Sequence, residues 1–564
     1  MSTLIVPGVR VEARFDVLPP LPVPSGILGA VGIVDRAPAA GGLISVSKVT
    51  ELRDLLGPGT EASMPAVAHA LANGASEAVI SAVAGGSPAS LPLLNVDSTA
   101  AVLLKARSNG AWANALNADV RATTNSTNDI VRVSLRLLLN GQVVETFQDL
   151  QVAPGQPNDL FDAINRQSRY VVAMDPGFAG VLPAENTYTF TDDGKPINVP
   201  ETAPGTRVLL TLLPAPGAQP SGLSVRIAIV SGKVNVQVFQ HGLQEQFTGL
   251  VMDPDSDQYL PYVILGGSRL ISIRTANSLA AGKRLPVATQ APVPFGNGTS
   301  PTVQQYVDAI DLLADDPRID LILASIEPGR TNDEALQIHQ ALLAHAVAMA
   351  DAGAPRIAFG CVTPDEQKDL GKIRDHAAAL RNRRFVLVSP SGAEGAVAGM
   401  VGRLDPQDSP TFKNVPLFGI PPATYRESQL NQLLGPGINL LVVENRAGHG
   451  VIVLKGIDTT GDQISVTRVA DECIRETKAT AENFIGQLNT ESARIALKQQ
   501  LVATFTRMER AGALVPSTDG KDPAFIVDVF STQQDFAQGI VRIDIAVRPV
   551  RAIDYIYATI RVKN

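Results

Sequence analysis

The feature that most constrains this chain lies near its end. Val541, Ile543, Ile545 and Val547 alternate with Arg542, Asp544, Ala546 and Arg548. A period of two marks a half-buried strand. Pro549 interrupts the run, because proline cannot donate to a β-ladder, and a second alternating stretch, 555–562, continues almost to Asn564. The other end has the same character. Val9 and Val11 alternate with Arg10 and Glu12, and residues 18–24 read Leu-Pro-Pro-Leu-Pro-Val-Pro. Four prolines in so short a space bar a helix and favour an extended path. Strands at both ends, one on a stiff leash, are well placed to pair with an open sheet edge of another copy.

Between these arms the texture changes several times. At 564 residues the chain has length for three or four domains of ~100–200 residues. With 45% hydrophobic and 18% charged residues it can bury real cores. Residues 26–84 read as strand, helix, helix, strand, with helical spacing at 49–55 and 65–72 and a buried-strand pattern at 78–83. From 112 to 250 the pattern is mostly β. Strands are expected at 119–123 and 130–139, followed by the Asn140-Gly141 hairpin turn and a strand over 142–147. Further strands are expected at 208–213, 225–230 and 234–239, and one helix at 159–167. From 255 to about 400, helices at 303–313 and from Asn332 to 351 alternate with strands at 319–324, 357–359 and 385–388, which argues for a partly parallel sheet. A strand at 438–443 opens the last unit. A helix follows over 491–511, with Leu497, Leu501, Phe505 and Met508 on one face and Gly512 as its stop. The fold class expected is α+β multidomain: an α/β central domain, a β-rich inserted domain and an α+β C-terminal domain.

Charge and composition exclude several functions. Net charge is −8, no basic stripe is visible, and aromatics make up 5% with one Trp. Nucleic-acid binding needs a basic footprint or stacking platforms, so direct nucleic-acid contact is not expected. The start of the chain has no basic region followed by an apolar stretch, and no run reaches the ~18 apolar residues of a membrane span, so neither export by a leader nor membrane insertion is expected. Cys361 and Cys473 match no metal spacing and read as free thiols, which suits a reducing cytoplasm.

The chain carries no complete motif for catalysis or cofactor binding. Gly26, Gly29 and Gly32 have the wrong spacing for a dinucleotide loop, and Asp35 comes too soon to bind a ribose; close packing of a strand explains them better. Gly57-Pro58-Gly59-Thr60 lacks the Gly-Lys-Ser/Thr of a phosphate loop. Gly395 and Gly399 read as close helix packing. His69, His241, His339, His345, His376 and His449 form no metal motif, and no nucleophile elbow is present. The aspartates from Asp253 to Asp257 lack the rest of a calcium loop. Arg381, Arg383 and Arg384 form a short basic patch of helix-end or interface type. No enzymatic activity, cofactor or metal is expected.

Several passages taken together resemble the contractile tail sheath family of phages, pyocins and related injection systems. Residues 7–12, Pro-Gly-Val-Arg-Val-Glu, look like its opening strand. Residues 68–82, with Ala-Leu-Ala-Asn-Gly at 70–74, are similar to its helix, turn and strand. Residues 105–114, Lys-Ala-Arg-Ser-Asn-Gly-Ala-Trp-Ala-Asn, resemble another family passage, with Ala113 where Gly is usual. Residues 245–259, 398–405, 433–439 (Leu-Leu-Gly-Pro-Gly-Ile-Asn), 466–470, 511–514, 545–550 and 553–556 continue the match in order. The region 112–250 does not match visibly. Val-Leu-Lys-Gly at 453–456 departs from the Trp-Gly often found there.

The resemblance implies a structural subunit that polymerises as stacked hexameric rings around a tail tube and contracts to drive it through a cell envelope. A domesticated injection system or tailocin, or another virion or surface protein, is the alternative. It implies an N-terminal arm (1–25), a central sheath domain (26–111 and 251–430), an outer insert (112–250), an inner C-terminal domain (431–548) and a C-terminal arm (549–564). The arms would be exchanged with neighbouring subunits, with Val9, Val11, Ile556 and Ile560 in the intersubunit strands. The helix near 491–511 would face the tube through Arg494, Lys498, Arg507 and Arg510, a solvated face being the other reading. The implied partners are further copies of the chain, the tail tube protein, and baseplate and tail terminator or collar proteins. The implied location is the virion tail, assembled in the bacterial host cytoplasm.

Overall fold

The computed structural model describes residues 26–36, 42–126, 129–202, 207–280 and 282–555. The expected arm residues Val9, Val11, Ile556 and Ile560 lie outside the described residues. Helices and strands are mixed, and the described strands group into several separate sheets.

At the centre is an eight-stranded sheet. Its spatial order is Ile44–Val46, Glu77–Ala82, Ile27–Gly32, Leu321–Ala324, Ile357–Cys361, Phe385–Ser389, Leu441–Arg446 and Gly450–Val453. The inner strands run parallel, and the two outermost join antiparallel. Ile27–Gly32, Leu321–Ala324 and Phe385–Ser389 are buried at every position. That is the pattern of a parallel sheet covered on both faces. One face packs under the helices Val303–Leu312, Asn332–Asp351 and Leu370–Ala379. The other packs under Val49–Leu56, Pro65–Ala72 and Glu394–Arg403.

The glycines read as packing devices act as such. A Cβ on Gly29 would lie 2.9 Å from Ile319, and one on Gly32 would lie 2.8 Å from Met64. On Glu394–Arg403, Cβ atoms at Gly395 and Gly399 would meet the carbonyl oxygens of Ala66 and Ala70 at 2.0 and 2.1 Å. The two helices therefore touch backbone to backbone. Asn332–Asp351 starts where the sequence places it, and Thr331 caps it by accepting from Glu334 N in a full capping box.

Two elements pair elsewhere than the sequence suggests. Leu441–Arg446, expected to open the C-terminal unit, is instead a parallel neighbour of Phe385–Ser389, because Leu441, Val442 and Val443 complete both central cores. The antiparallel region is also wider than 112–250. Its strands run from Ser90–Leu94 to Val293–Pro294, in four small sheets with two cores of their own. Trp112 is buried in the first of those cores.

The last unit holds the helices Ile464–Glu482 and Glu491–Arg510 and the antiparallel pair Phe525–Phe530 and Arg542–Val547. Val469, Cys473, Leu497, Leu501, Phe505, Met508 and Val527 form its core.

Candidate assembly surface

The C-terminal unit is fastened to the central sheet by charge. Arg384, at the end of the predicted basic patch, donates to both carboxylate oxygens of Asp471 at 3.0 Å. Arg468 donates to the carbonyls of Leu404 and Asp405 at 3.0 and 3.2 Å, and Arg475 to that of Pro355. Arg468, Asp471 and Arg475 sit on the buried side of Ile464–Glu482. Burial pushes the Asp471 carboxyl above its usual range even though Arg384 works against the shift. The joint is thus a desolvated, geometrically exact ion pair, the kind that fixes orientation more than it adds stability.

Outward from this joint lies Glu491–Arg510. Thr490 caps it by accepting from Ala493 N, and its apolar stripe faces the core as the heptad-like spacing predicts. The four cations do not form one stripe. At ~3.6 residues per turn, Arg494 and Lys498 share one flank, and Arg507 and Arg510 lie on roughly the opposite side. Three are engaged within the chain. Arg494 donates to Asn489 Oδ1 at 2.6 Å, Lys498 pairs with Asp528 at 3.2 Å, and Arg507 pairs with Glu476 at 3.0 Å. Arg510 is exposed. Ile495 and Val502 are also exposed on this helix.

The sheet beneath it is open. Phe525–Phe530 and Arg542–Val547 pair only with each other among the described strands, in register from Phe525↔Val547 to Phe530↔Arg542. A two-stranded sheet is marginal in water by itself. Here Val527, Ile543 and Ile545 lean on the helix core, while Ile526 (57% exposed) and Phe530 (39%) face out on the other side. Between the strands, Asp535 holds Arg542 through two bonds of 2.9 and 2.7 Å, which fixes the connecting turn.

Beyond Pro549 the chain turns back towards the central sheet. Gln463 donates to Ala552 O and accepts from Ala552 N, both at 2.9 Å, so its amide imitates a strand neighbour. Gln463 also donates to Asp554, and Arg551 pairs with Asp462 at 2.7 Å. Ile553 and Tyr555 remain exposed at 78% and 64%. The segment 551–555 is thus clamped against the start of Ile464–Glu482.

Elsewhere, His339 Nδ1 lies 2.9 Å from His376 Nε2, and His376 Nδ1 lies 2.8 Å from Glu366 Oε1, all three buried. Burial, reinforced by the neighbouring imidazole, holds His339 well below the ordinary range. Sequence spacing does not show this cluster, because its members come from two helices and a short turn. Among the described residues no group of three or more His, Cys, Asp or Glu could hold a metal ion, and no helix is long and apolar enough to cross a membrane. Cys361 and Cys473 are free thiols.

Residues 458–563 match the family model for the phage tail sheath C-terminal domain. The match takes in both helices, the open sheet and the clamped segment 551–555. Over those residues the chain is similar to phage tail sheath proteins. Among solved structures, it is similar to a sheath tail protein of Desulfitobacterium hafniense, at 14% identity and a TM-score of 0.45 over 97% of both chains. A sheath tail protein of Listeria innocua gives 12% and 0.45 over 94% of this chain and 93% of that one. The contracted helical sheath of the anti-feeding prophage gives 17% and 0.36 over 46% of this chain and 74% of that one. At such values the likeness carries no weight beside the family match. No curated protein matches.

Proposed function

We propose that this chain is the subunit of a contractile tail sheath. It polymerises as stacked hexameric rings around a tail tube and contracts to drive the tube through a target envelope. The single observation that carries the reading is the sheath C-terminal domain match over 458–563. The open sheet is its physical counterpart: Phe525–Phe530 and Arg542–Val547 leave both outer edges unpaired among the described strands, and strand addition to such an edge is a standard mode of association.

In this reading the segments around Val9, Val11, Ile556 and Ile560 supply the added strands from neighbouring subunits. Each hydrogen bond contributes only ~0.5–1.5 kcal/mol net. A few per arm, repeated over every subunit, make a mesh that survives repacking of the bodies between. Contraction is then a switch between two packings, and the role is structural, without catalysis. The central sheet, the β-rich region and the C-terminal unit are the bodies that move. Phage tail, domesticated injection system and tailocin share this reading. The tube, baseplate and terminator proteins are the expected partners, and the virion tail or injection particle is the location.

The helix Glu491–Arg510 is the proposed tube-facing element. Replacing Arg494, Lys498, Arg507 and Arg510 together by Glu, and co-expressing the variant with the tube protein, tests it. The expected outcome is a folded subunit that no longer assembles on the tube. Normal tails from the variant remove this helix from the interface.

A further inference from the structure

The β-rich region repeats itself. Glu145, Phe147, Leu150, Leu160, Ser168 and Arg169 recur 100 residues later as Glu245, Phe247, Leu250, Leu260, Ser268 and Arg269. The geometry repeats with them. Ser168 Oγ and Arg169 N donate to the two oxygens of Glu145 at 2.6 and 2.7 Å, and Ser268 Oγ and Arg269 N donate to those of Glu245 at 2.5 and 2.7 Å. The helices Leu160–Gln167 and Leu260–Gly267 each follow a hairpin and precede a strand.

Even the irregularities correspond. The ladder opposite Leu150 and Phe147 shifts register between Val133 and Leu135, and the ladder opposite Leu250 and Phe247 shifts between Val234 and Val236. The three-stranded sheet of Ser90–Leu94, Ala100–Ala106 and Val171–Met174 is matched by Ile197–Pro200, Val208–Pro214 and Ile271–Thr275, and each has a register shift at the same end of its first strand.

We infer that the region from about 87 to 296 is a tandem duplication of one module, and that the two copies present the same surface to each other and exchange their trailing segments. After the first copy the chain runs into the second, where Asn186–Thr189 adds an edge strand to Leu223–Val230 and Phe190 N donates to Leu223 O at 2.9 Å. After the second copy it returns to the first, where Val293–Pro294 adds an edge strand to Leu116–Thr124 and Phe295 N donates to Leu116 O at 2.9 Å. The registers agree: Tyr188 faces Val225, whose other partner is Val238, and Val293 faces Ala118, whose other partner is Leu137.

The two segments cross between equivalent strand ends, where Thr275 Oγ1 donates to Asp175 O at 2.9 Å. On one side of the crossing Tyr259 and Tyr262 pack with Leu103, Val172 and Met174. On the other, the equivalents of Tyr259 and Met174 are Asp159 and Arg274, and they form a salt bridge of 3.0 Å. One contact geometry is therefore used twice, once apolar and once ionic.

A segment-exchanged pair cannot separate without breaking both edge strands, so the region opens and moves as one body. This inference stands independently of the sheath reading. Hydrogen exchange on the full chain tests it with substitutions at the equivalent buried positions, Leu137→Ala and Val238→Ala, and with Leu137→Val where the alanine variant does not fold. Each substitution is expected to speed exchange at least tenfold in both hairpins, 130–150 and 233–250, by a shared factor, while Ile357–Cys361 keeps its rate. A response confined to the substituted copy, or one that spreads equally to the central strand, overturns the inference.

Discussion

Replacing Asp471 by alanine isolates the joint between the C-terminal unit and the central sheet. The carboxylate is 3% exposed and its partner Arg384 is 18% exposed. The pair is bidentate, with both bonds at 3.0 Å. Removing one member leaves Arg384 desolvated and short of partners, its remaining bond being to Arg356 O at 3.2 Å. Breaking a buried pair in this way costs about 3–5 kcal/mol. Replacing both members by apolar residues of similar size costs much less, because it also removes the desolvation of two charges. The raised Asp471 carboxyl shows that desolvation acts at this site. The assay is hydrogen exchange of Ile464–Glu482 in Asp471→Ala, Arg384→Met and the double variant Arg384→Met/Asp471→Leu. At ~1.4 kcal/mol per tenfold, the single Asp471 change speeds local exchange by roughly 10²- to 4 × 10³-fold, and the double variant recovers most of it. A silent Asp471→Ala, or a double variant worse than the sum of the singles, refutes the account of the joint.

Two further predictions concern packing and pH. Gly399→Ala pushes a methyl into Ala70 O at 2.1 Å; overpacking of this kind costs about 1–3 kcal/mol or more, and thermal unfolding of the full chain should move down accordingly, whereas Gly512→Ala, with open space around it, is limited to the strain of its φ of 77°. Asp458 is fully buried and pushed up to about 6 by that burial. A carboxyl whose folded value lies above its unfolded one favours the fold at low pH, and that contribution is lost as pH rises from about 4 through about 6. Asp458→Asn keeps an acceptor for Thr460 and Asp462, so it should be more stable than the parent at pH 8, by on the order of 3 kcal/mol at most, and equal to it near pH 4; a constant difference across that range would refute the assignment.

Much of the architecture is legible in the sequence, and the exceptions have physical reasons. Glu491–Arg510 shows because its buried side is apolar at helical spacing. Ile464–Glu482 does not show, although it is nearly as long, because its buried side includes Ser465, Thr467, Arg468, Asp471, Arg475 and Glu476. Periodicity methods see that face as solvent. Leu441–Arg446 is visible as a strand but not as a member of the central sheet, since pairing across a long separation leaves no local mark. The duplication is masked by sparse identities and by a change of step, from 100 residues after the hairpin turn to 101 before it, where Val133 corresponds to Val234. Of the candidate site residues, Arg494, Lys498, Arg507 and Arg510 fall on one helix as expected, but on two sides of it. The expected strand residues of the arms lie outside the described residues, which end at Tyr555.

The central claim is assembly through exchanged strands, and electron microscopy of the purified full chain at high concentration, alone and co-expressed with the tube protein, tests it most directly. The account predicts hollow helical tubes with six-fold rings, and a folded, unassembled subunit when residues 1–12 or 556–564 are removed. A full chain that forms no ordered polymer under either condition, or one that polymerises equally well without both segments, contradicts it.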